Sequence, residues 1–340
     1  MAILLMDGFG NLTDGEHVSG TSREILGDVW SGYAAKPAFE DLGDGRKWIY
    51  SDSGISGERQ FNLTSSAIAS PVSTVRFAFR VLRSLSYNGT LYVFNFRTAS
   101  DEGGNVSLGN NEVAWRYGTT TVLSADVLPA ANTHVEIAIG LATDATGWVR
   151  IYYNGAEVAS VDNVRTASAT ASIDRVVFAS VSLARDWRFT DFVWHTNAGP
   201  IGDCGVFYRP ANADGASSDF TPSAGADNYA MVDEIGPDED TTYNESDGTA
   251  GHRDAFEQAG VASNLVVLAV APMIRARKTD TGAGTIKVGL EHDGDEVESA
   301  AKALSESYLT FMKIFEDCPD ETGWTPTQVG DTELFVEVGA

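Results

Sequence analysis

The chain has little positive charge, almost no cysteine, little proline and no apolar stretch long enough to cross a membrane as a helix. Its 340 residues include 23 Lys and Arg against 48 Asp and Glu, a formal net charge of −25. No basic stripe is present to neutralise phosphates, so nucleic acid is not an expected partner, and the same charge repels anionic membrane surfaces. The acidity is read instead as adaptation to a salty or crowded setting. Two cysteines, Cys204 and Cys318, are no disulfide framework, and their redox state stays open. The apolar start Ile3-Leu4-Leu5-Met6 has no basic flank and is too short for a signal peptide or a membrane span. The protein is therefore expected to be made in its cell and not conventionally exported.

Catalytic and cofactor signatures are missing as well. The chain contains no Gly-x-Ser-x-Gly elbow, no Walker A loop, no dinucleotide fingerprint and no Cys-x-x-Cys pair. The five histidines, His17, His134, His195, His252 and His292, are scattered without metal-ligand spacing. His134 stands at the start of a strand pattern.

What is present is strand periodicity. Val75, Phe77, Phe79 and Val81 alternate with Arg76, Ala78 and Arg80, the pattern of a strand with one wet face. Tyr92, Phe94 and Phe96 repeat it, as do Val113, Trp115 and Tyr117, and Ile173–Val181 and Arg188–Trp194 complete the set. From Thr133 to Ser160 one strand is followed by Gly147-Trp148, a second strand to Tyr153, and Asn154-Gly155, which supplies the two positive-φ residues of a tight hairpin. At this length two β domains are expected, an all-β jelly-roll sandwich over 1–199 and a smaller β-sandwich over 200–340, divided at the turn-rich Asn197-Ala198-Gly199-Pro200. The opening strand, Ile3–Phe9, is expected to lie near the closing one, Phe189–His195. In the second domain strands are expected at Val206–Arg209, Tyr229–Val232, Leu265–Met273, Thr285–Leu290, Tyr308–Phe315 and Leu334–Val338, with a short helix around Arg253–Gln258. Glu296–Ser305 is left open between helix, loop and strand edge.

The hairpin closing on Tyr152-Tyr153-Asn154-Gly155 resembles the back sheet of concanavalin A-like (laminin-G-like) jelly rolls, which serve as lectins, glucanases and inert modules. A second resemblance lies in Pro210, Asp214-Gly215, Phe220-Thr221-Pro222-Ser223, Asn228-Tyr229, Val232-Asp233-Glu234 and Asp238-Glu239-Asp240-Thr241-Thr242-Tyr243. It continues through Ala276-Arg277-Lys278, Ser307-Tyr308 and Pro319-Asp320-Glu321-Thr322-Gly323-Trp324-Thr325. In order, these are similar to a C-terminal domain of tailed-phage virion proteins, with the departures that Cys318 precedes Pro319 and the Gly323-Trp324 spacing is compressed. The resemblance implies a structural component of a phage particle, on tail, fibre or head, with other virion proteins and further copies of itself as partners.

Three constellations invite a sharper reading. Glu291-His292-Asp293-Gly294-Asp295-Glu296 contains the Glu-x-Asp-x-x-Glu order of glucanases, but Asp293-Gly294 is a turn pair outside the jelly roll, so a polar hairpin tip is expected. The acidic run Asp233–Asp247 gathers hard oxygens, yet Thr242 and Tyr243 exclude an EF-hand read from Asp238; an irregular Ca²⁺ site there stays open. Asp7, Gly8 and Asp191 are a further candidate meeting at a sheet edge. Of the seven tryptophans, Trp30, Trp48, Trp115, Trp148, Trp187, Trp194 and Trp324, most are expected in the core, with one surface sugar platform as the alternative. No catalytic residue and no cofactor is expected. The expected role is a non-enzymatic virion component; a carbohydrate-binding tail-fibre or receptor-binding module is the alternative, and a glycan depolymerase stands third.

Overall fold

The computed structural model describes residues 3–7, 30–34, 37–41, 47–51, 61–65, 71–83, 90–109, 112–126, 132–180 and 187–339. These form two compact units, one ending at Phe207 and the other beginning at Tyr208. The junction lies beyond the expected 199/200 because residues 198–206 are hydrogen-bonded to the first unit, as set out below. No described helix is long and apolar enough to cross a membrane.

The first unit is an all-β jelly-roll sandwich of an eight-stranded and a seven-stranded antiparallel sheet. The eight-stranded sheet centres on Thr74–Arg83, flanked by Thr133–Gly140 and Trp187–His195. The facing sheet centres on Thr90–Arg97, Glu102–Gly109 and Arg175–Ser180. Alternation sends Phe77, Phe79, Phe189 and Phe192 from one sheet against Phe94, Phe96 and Phe178 from the other. Phe94 lies 4.6 Å from Phe77, 4.7 Å from Phe79 and 4.8 Å from Phe178, centroid to centroid, so the two layers are joined through one ring. Asn154 and Gly155 both take positive φ between Tyr153 and Ala156, forming the expected hairpin. The opening strand Ile3–Asp7 pairs directly with Trp187–His195.

Along Trp187–His195 the pairing changes hands. Arg188 and Phe189 pair with Tyr50 and Ile49, whereas Phe192–His195 pair with Asp7–Ile3 on the opening strand. Between them lies Asp191 at φ 55°, where the register with Thr74–Arg83 also shifts. This bulge inserts one residue, keeping Phe189 and Phe192 in the core while turning a carboxylate to the opposite face.

The second unit is built on a six-stranded antiparallel sheet ordered Ala211–Ser218, Arg253–Gln258, Glu333–Val338, Thr285–His292, Asp295–Glu298, with Lys302–Ala303 also on Thr285–His292. Two-stranded pieces pair Thr221–Pro222 with Asn244–Glu245 and Met273–Ala276 with Leu309–Met312. Several expectations change here. Arg253–Gln258 is an interior strand rather than a helix, because both its edges are paired and Asp254, Ala255 and Phe256 are all buried. Glu296–Ser305 resolves into strand pieces. Val206–Arg209 is irregular, and Tyr229–Met231 is one turn of 3-10 helix. The apolar run Leu265–Met273 contributes only single bridges, Val267 to Trp324 and Val270 to Phe315, before its strand begins at Met273. A short α-helix, Pro326–Asp331, follows a capping box in which Thr325 accepts from the Gln328 N–H and the Gln328 side chain accepts from the Thr325 N–H. Apolar clusters form around Phe256, Ile286, Phe311 and Val336, and around Leu290, Cys318, Trp324 and Val329.

Candidate functional site

The strand face expected to be wet is not. Arg76 and Arg80 point away from the sandwich core, yet each is only 6% exposed. Register places them in a patch with their neighbours: His134 and Thr190 flank Arg80, Glu136 and Val193 flank Ala78, and His195 pairs beside Arg76. His134, Glu136, Thr190, Asp191 and His195 are fully buried. What covers the patch is the chain itself, through the segment leaving the last strand.

That segment is held by the buried ions at successive points. Arg76 Nη2 donates to the Ala198 carbonyl at 2.6 Å, and the Ile201 N–H donates to Glu136 Oε2 at 2.9 Å. Arg80 distributes its fork widely. Nε donates to Asp191 Oδ2 at 3.0 Å, Nη2 to the Cys204 carbonyl at 2.8 Å and to Asp203, and Nη1 to Asn132 Oδ1 at 3.3 Å. The Val206 N–H donates to Asp191 Oδ1 at 2.9 Å. Gly155 comes close to the same segment, where a Cβ would sit 3.3 Å from Gly202 Cα. A buried ion left alone costs several kcal/mol, so such a face is tolerable only when every charge meets a partner of opposite sign or an oriented dipole.

The electrostatics follow from this enclosure. Burial pulls the Arg80 guanidinium down, but hydrogen bonds and charge from Asp203 and Asp191 outweigh it and leave it above the ordinary value. His134 is driven down to about 4, first by burial and then by the Arg80 charge, so the ring is neutral near pH 7. Its Nε2 lies 3.2 Å from Cys204 Sγ, a contact whose donor is set by the ring tautomer. Burial pushes the Cys204 thiol up to about 12, with the Asp191 charge adding to the effect. A protonated thiol and a weakly basic imidazole are poor equipment for nucleophilic chemistry. At the other end of the patch Glu136 Oε1 lies 3.3 Å from His195 Nε2 and 3.6 Å from Arg76 Nη1.

The residues singled out in the sequence fall elsewhere. Glu291 and Glu296 pair across a hairpin whose tip, Asp293 at φ 51° and Gly294 at φ 89°, is the turn their order suggested. The two carboxylates are neighbours, but Glu296 is forked onto Arg253 at 2.5 and 3.1 Å and held below the ordinary carboxylate range by that hydrogen bond. A general acid needs the opposite shift. In the acidic run, Glu239 is bound by Arg275, Asp240 accepts from Arg277 and Tyr308, and the Thr242 hydroxyl lies within hydrogen-bond distance of both Glu234 and Asp238, with one proton to share between them. Asp7 pairs beside Asp191 in register with Phe192, but the Asp191 oxygens are taken by Arg80 and Val206; Gly8 lies outside the described residues. Trp48, Trp115, Trp194 and Trp324 are buried, whereas Trp148 is half-buried beside Arg150 and Arg76, at 5.6 and 6.0 Å. The side chains of Trp30 and Trp187 are outside the described set. Cys204 and Cys318 are both free thiols.

The motif residues of the second domain are bonded to one another. Asp214 accepts from the N–H groups of Asn228 and Tyr229, and buried Asp254 accepts from the Phe220 N–H and from Asn228 Nδ2 at 2.7 Å. Asp214, Phe220, Asn228 and Tyr229 thus serve local structure.

No protein-family profile matches the chain, and no curated protein matches it in sequence. Among solved structures, the chain is similar to an endo-beta-1,4-glucuronan lyase from the fungus Trichoderma reesei at 13% identity and a TM-score of 0.40, over 58% of this chain and 96% of that one. It is similar to alginate lyase vAL-1 from a Chlorella virus at 11% identity and a TM-score of 0.39, over 54% and 100%. The receptor binding domain of botulinum neurotoxin D matches at 14% identity and a TM-score of 0.32, over 50% and 48%. At these TM-scores the likenesses carry no argument about activity, substrate or partner.

Proposed function

We propose that the protein is a non-enzymatic structural component of a tailed-phage virion, made in the host cytoplasm and displayed on the tail or head surface as a homo-oligomer. The phage assignment rests on the ordered motifs from Pro210 to Thr325. The observation that carries the non-enzymatic part is the covered sheet face, where Arg76, Glu136, Arg80 and Asp191 are bonded to residues 198–206, from Arg76 at Ala198 to Asp191 at Val206. A face used in this way contributes rigidity, which suits a particle component acting through surface complementarity. Electron microscopy of intact particles labelled against this chain tests the reading. Label on tail or head supports it, and unlabelled particles beside free protein in the lysate overturn it.

A second reading has one observation in its favour. Trp148 is half-buried on the same sheet as the covered face, a partly exposed aromatic ring of the kind on which a sugar can stack once Arg150 swings off it. On this reading the first unit is a carbohydrate-binding module of a tail fibre or receptor-binding protein. Glycan binding that disappears in Trp148→Ala would favour it over a purely architectural role.

A further inference from the structure

Among the described residues one group of His, Cys, Asp or Glu side chains converges closely enough to hold a metal ion: His292, Cys318 and Asp320, whose ligating atoms all lie within 4.8 Å of one another. None of the three was grouped by the sequence, since His292 ends a strand and the others lie in a loop 26 and 28 residues later. The fold brings them together. His292 is fixed by pairing with Asp295 across the Asp293-Gly294 turn. Cys318 is fixed by its N–H donating to the Gly323 carbonyl, while the Glu321 N–H donates back to the Cys318 carbonyl. The Gly323 N–H donates to Asp317, and Trp324 Nε1 donates to the Phe315 carbonyl, closing the loop over the apolar cluster around Leu290 and Val329.

A second observation points to a ligand. His292 is only 7% exposed, and among the described residues the one partner of its Nδ1 is Asp320, a fellow member of the trio. The atom faces Asp320 Oδ1 at 3.1 Å. Two ligand atoms bound tetrahedrally to zinc at its usual N and O bond lengths lie about 3.3 Å apart, so this pair stands near the separation a shared ion imposes. The other reading of the trio, a catalytic Cys-His-Asp relay, has the wrong order. Asp320 is hydrogen-bonded to Cys318 and also faces His292, so the carboxylate, not the imidazole, meets the thiol; a nucleophile needs the base beside it.

We propose that His292 Nδ1, Cys318 Sγ and Asp320 bind one borderline-soft divalent ion, Zn²⁺ by donor type, with the fourth position open to water at the exposed Asp320 side. Thiolate and imidazole select zinc-class ions over Ca²⁺ and Mg²⁺, and three protein donors leave one coordination site vacant. Binding replaces the thiol proton, which passes to solvent, and ties the 316–325 loop to the 291–296 hairpin.

The test uses the full chain and the metal ions themselves. Co²⁺ titration should give one equivalent per chain with a near-ultraviolet thiolate charge-transfer band, displaced by Zn²⁺. The band should disappear in Cys318→Ser and persist in Cys204→Ser. Should Cys318→Ser fail to fold, Asp320→Asn carries the test, because Asp320 is exposed. Its Zn²⁺ affinity should fall at least about tenfold, the lower end of what even an outer-shell partner contributes. No stoichiometric Co²⁺ or Zn²⁺ binding, or Zn²⁺ affinity unchanged in Asp320→Asn, overturns the proposal.

Discussion

Asp191 holds Arg80 with one carboxylate oxygen and the backbone of Val206 with the other, at 3.0 and 2.9 Å. One residue at a strand bulge therefore neutralises a buried cation and also anchors the segment that buries it. Removing it leaves Arg80 with Asp203 as its one countercharge among the described residues. Asp191→Ala should destabilise the protein by about 3 kcal/mol, the low end for breaking a buried ion pair. It should also loosen residues 198–206, so that chymotrypsin cleaves after the already exposed Phe207 faster than in the parent. A urea midpoint within error of the parent would refute the latch.

The enclosure also predicts a pH window. His134 has its native pKa depressed from 6.5 to about 4, so the stability it contributes is full above 6.5 and is lost as pH falls towards 4, where the native ring also charges. The loss amounts to roughly 3 kcal/mol. Cys204 acts at the other end: its thiol is raised from 9.0 to about 12, so stability is lost as pH rises from 9.0 through 12. Imidazole NMR should show His134 not titrating between pH 5 and 8, and His134→Gln should flatten the acid limb. A ring titrating near 6.5 would count against this account.

Phe94 is the ring on which both layers of the first unit close. Phe94→Ala should cost about 3–5 kcal/mol, the usual range for emptying such a site. Chemical denaturation followed by tryptophan fluorescence measures it. A cost under 1 kcal/mol would mean that the two sheets are held some other way.

Glu291→Gln should be silent, within about 0.5 kcal/mol in stability, because its neighbour Glu296 is already committed to Arg253. The purified protein should leave glycans intact with or without the substitution. Glycan cleavage that vanishes in Glu291→Gln would restore the depolymerase reading.

Self-association should survive high salt. Copies carrying −25 repel one another at long range, and that repulsion is screened within roughly 8 Å at physiological ionic strength. Contacts between copies must then be short-range and largely apolar. Sedimentation showing a monomer at every salt concentration would remove the oligomer from the proposed role.

The first unit was largely legible because its strands alternate cleanly, as at Val75–Val81, and because Asn154-Gly155 admits only one kind of turn. The same alternation misled at Arg76 and Arg80. Periodicity gives the side of the sheet a residue faces, but not what lies on that side, and the covering residues 198–206 looked like a plain linker. In the second unit, Arg253–Gln258 has no clear period because a strand bonded on both edges can bury Asp254 through a hydrogen bond from Asn228 instead of alternating. The helix at Pro326 has a start signal in Thr325, Pro326 and Gln328, but no apolar period follows it to mark a helix in the sequence. Cys318 and His292 were invisible as a pair, since a loop and a hairpin end share no local pattern.

The fastening of residues 198–206 has a mechanical meaning. Tension on the chain beyond Phe207 enters the first unit at Val206 and meets the Asp191 carboxylate first. Cys204 and Asp203 on Arg80, Ile201 on Glu136 and Ala198 on Arg76 follow in chain order. Pulling therefore peels a zipper one tooth at a time before any strand of the sandwich bears load. Each tooth can close again when the force relaxes, so residues 198–206 can act as a recoverable extension at the end of the first unit.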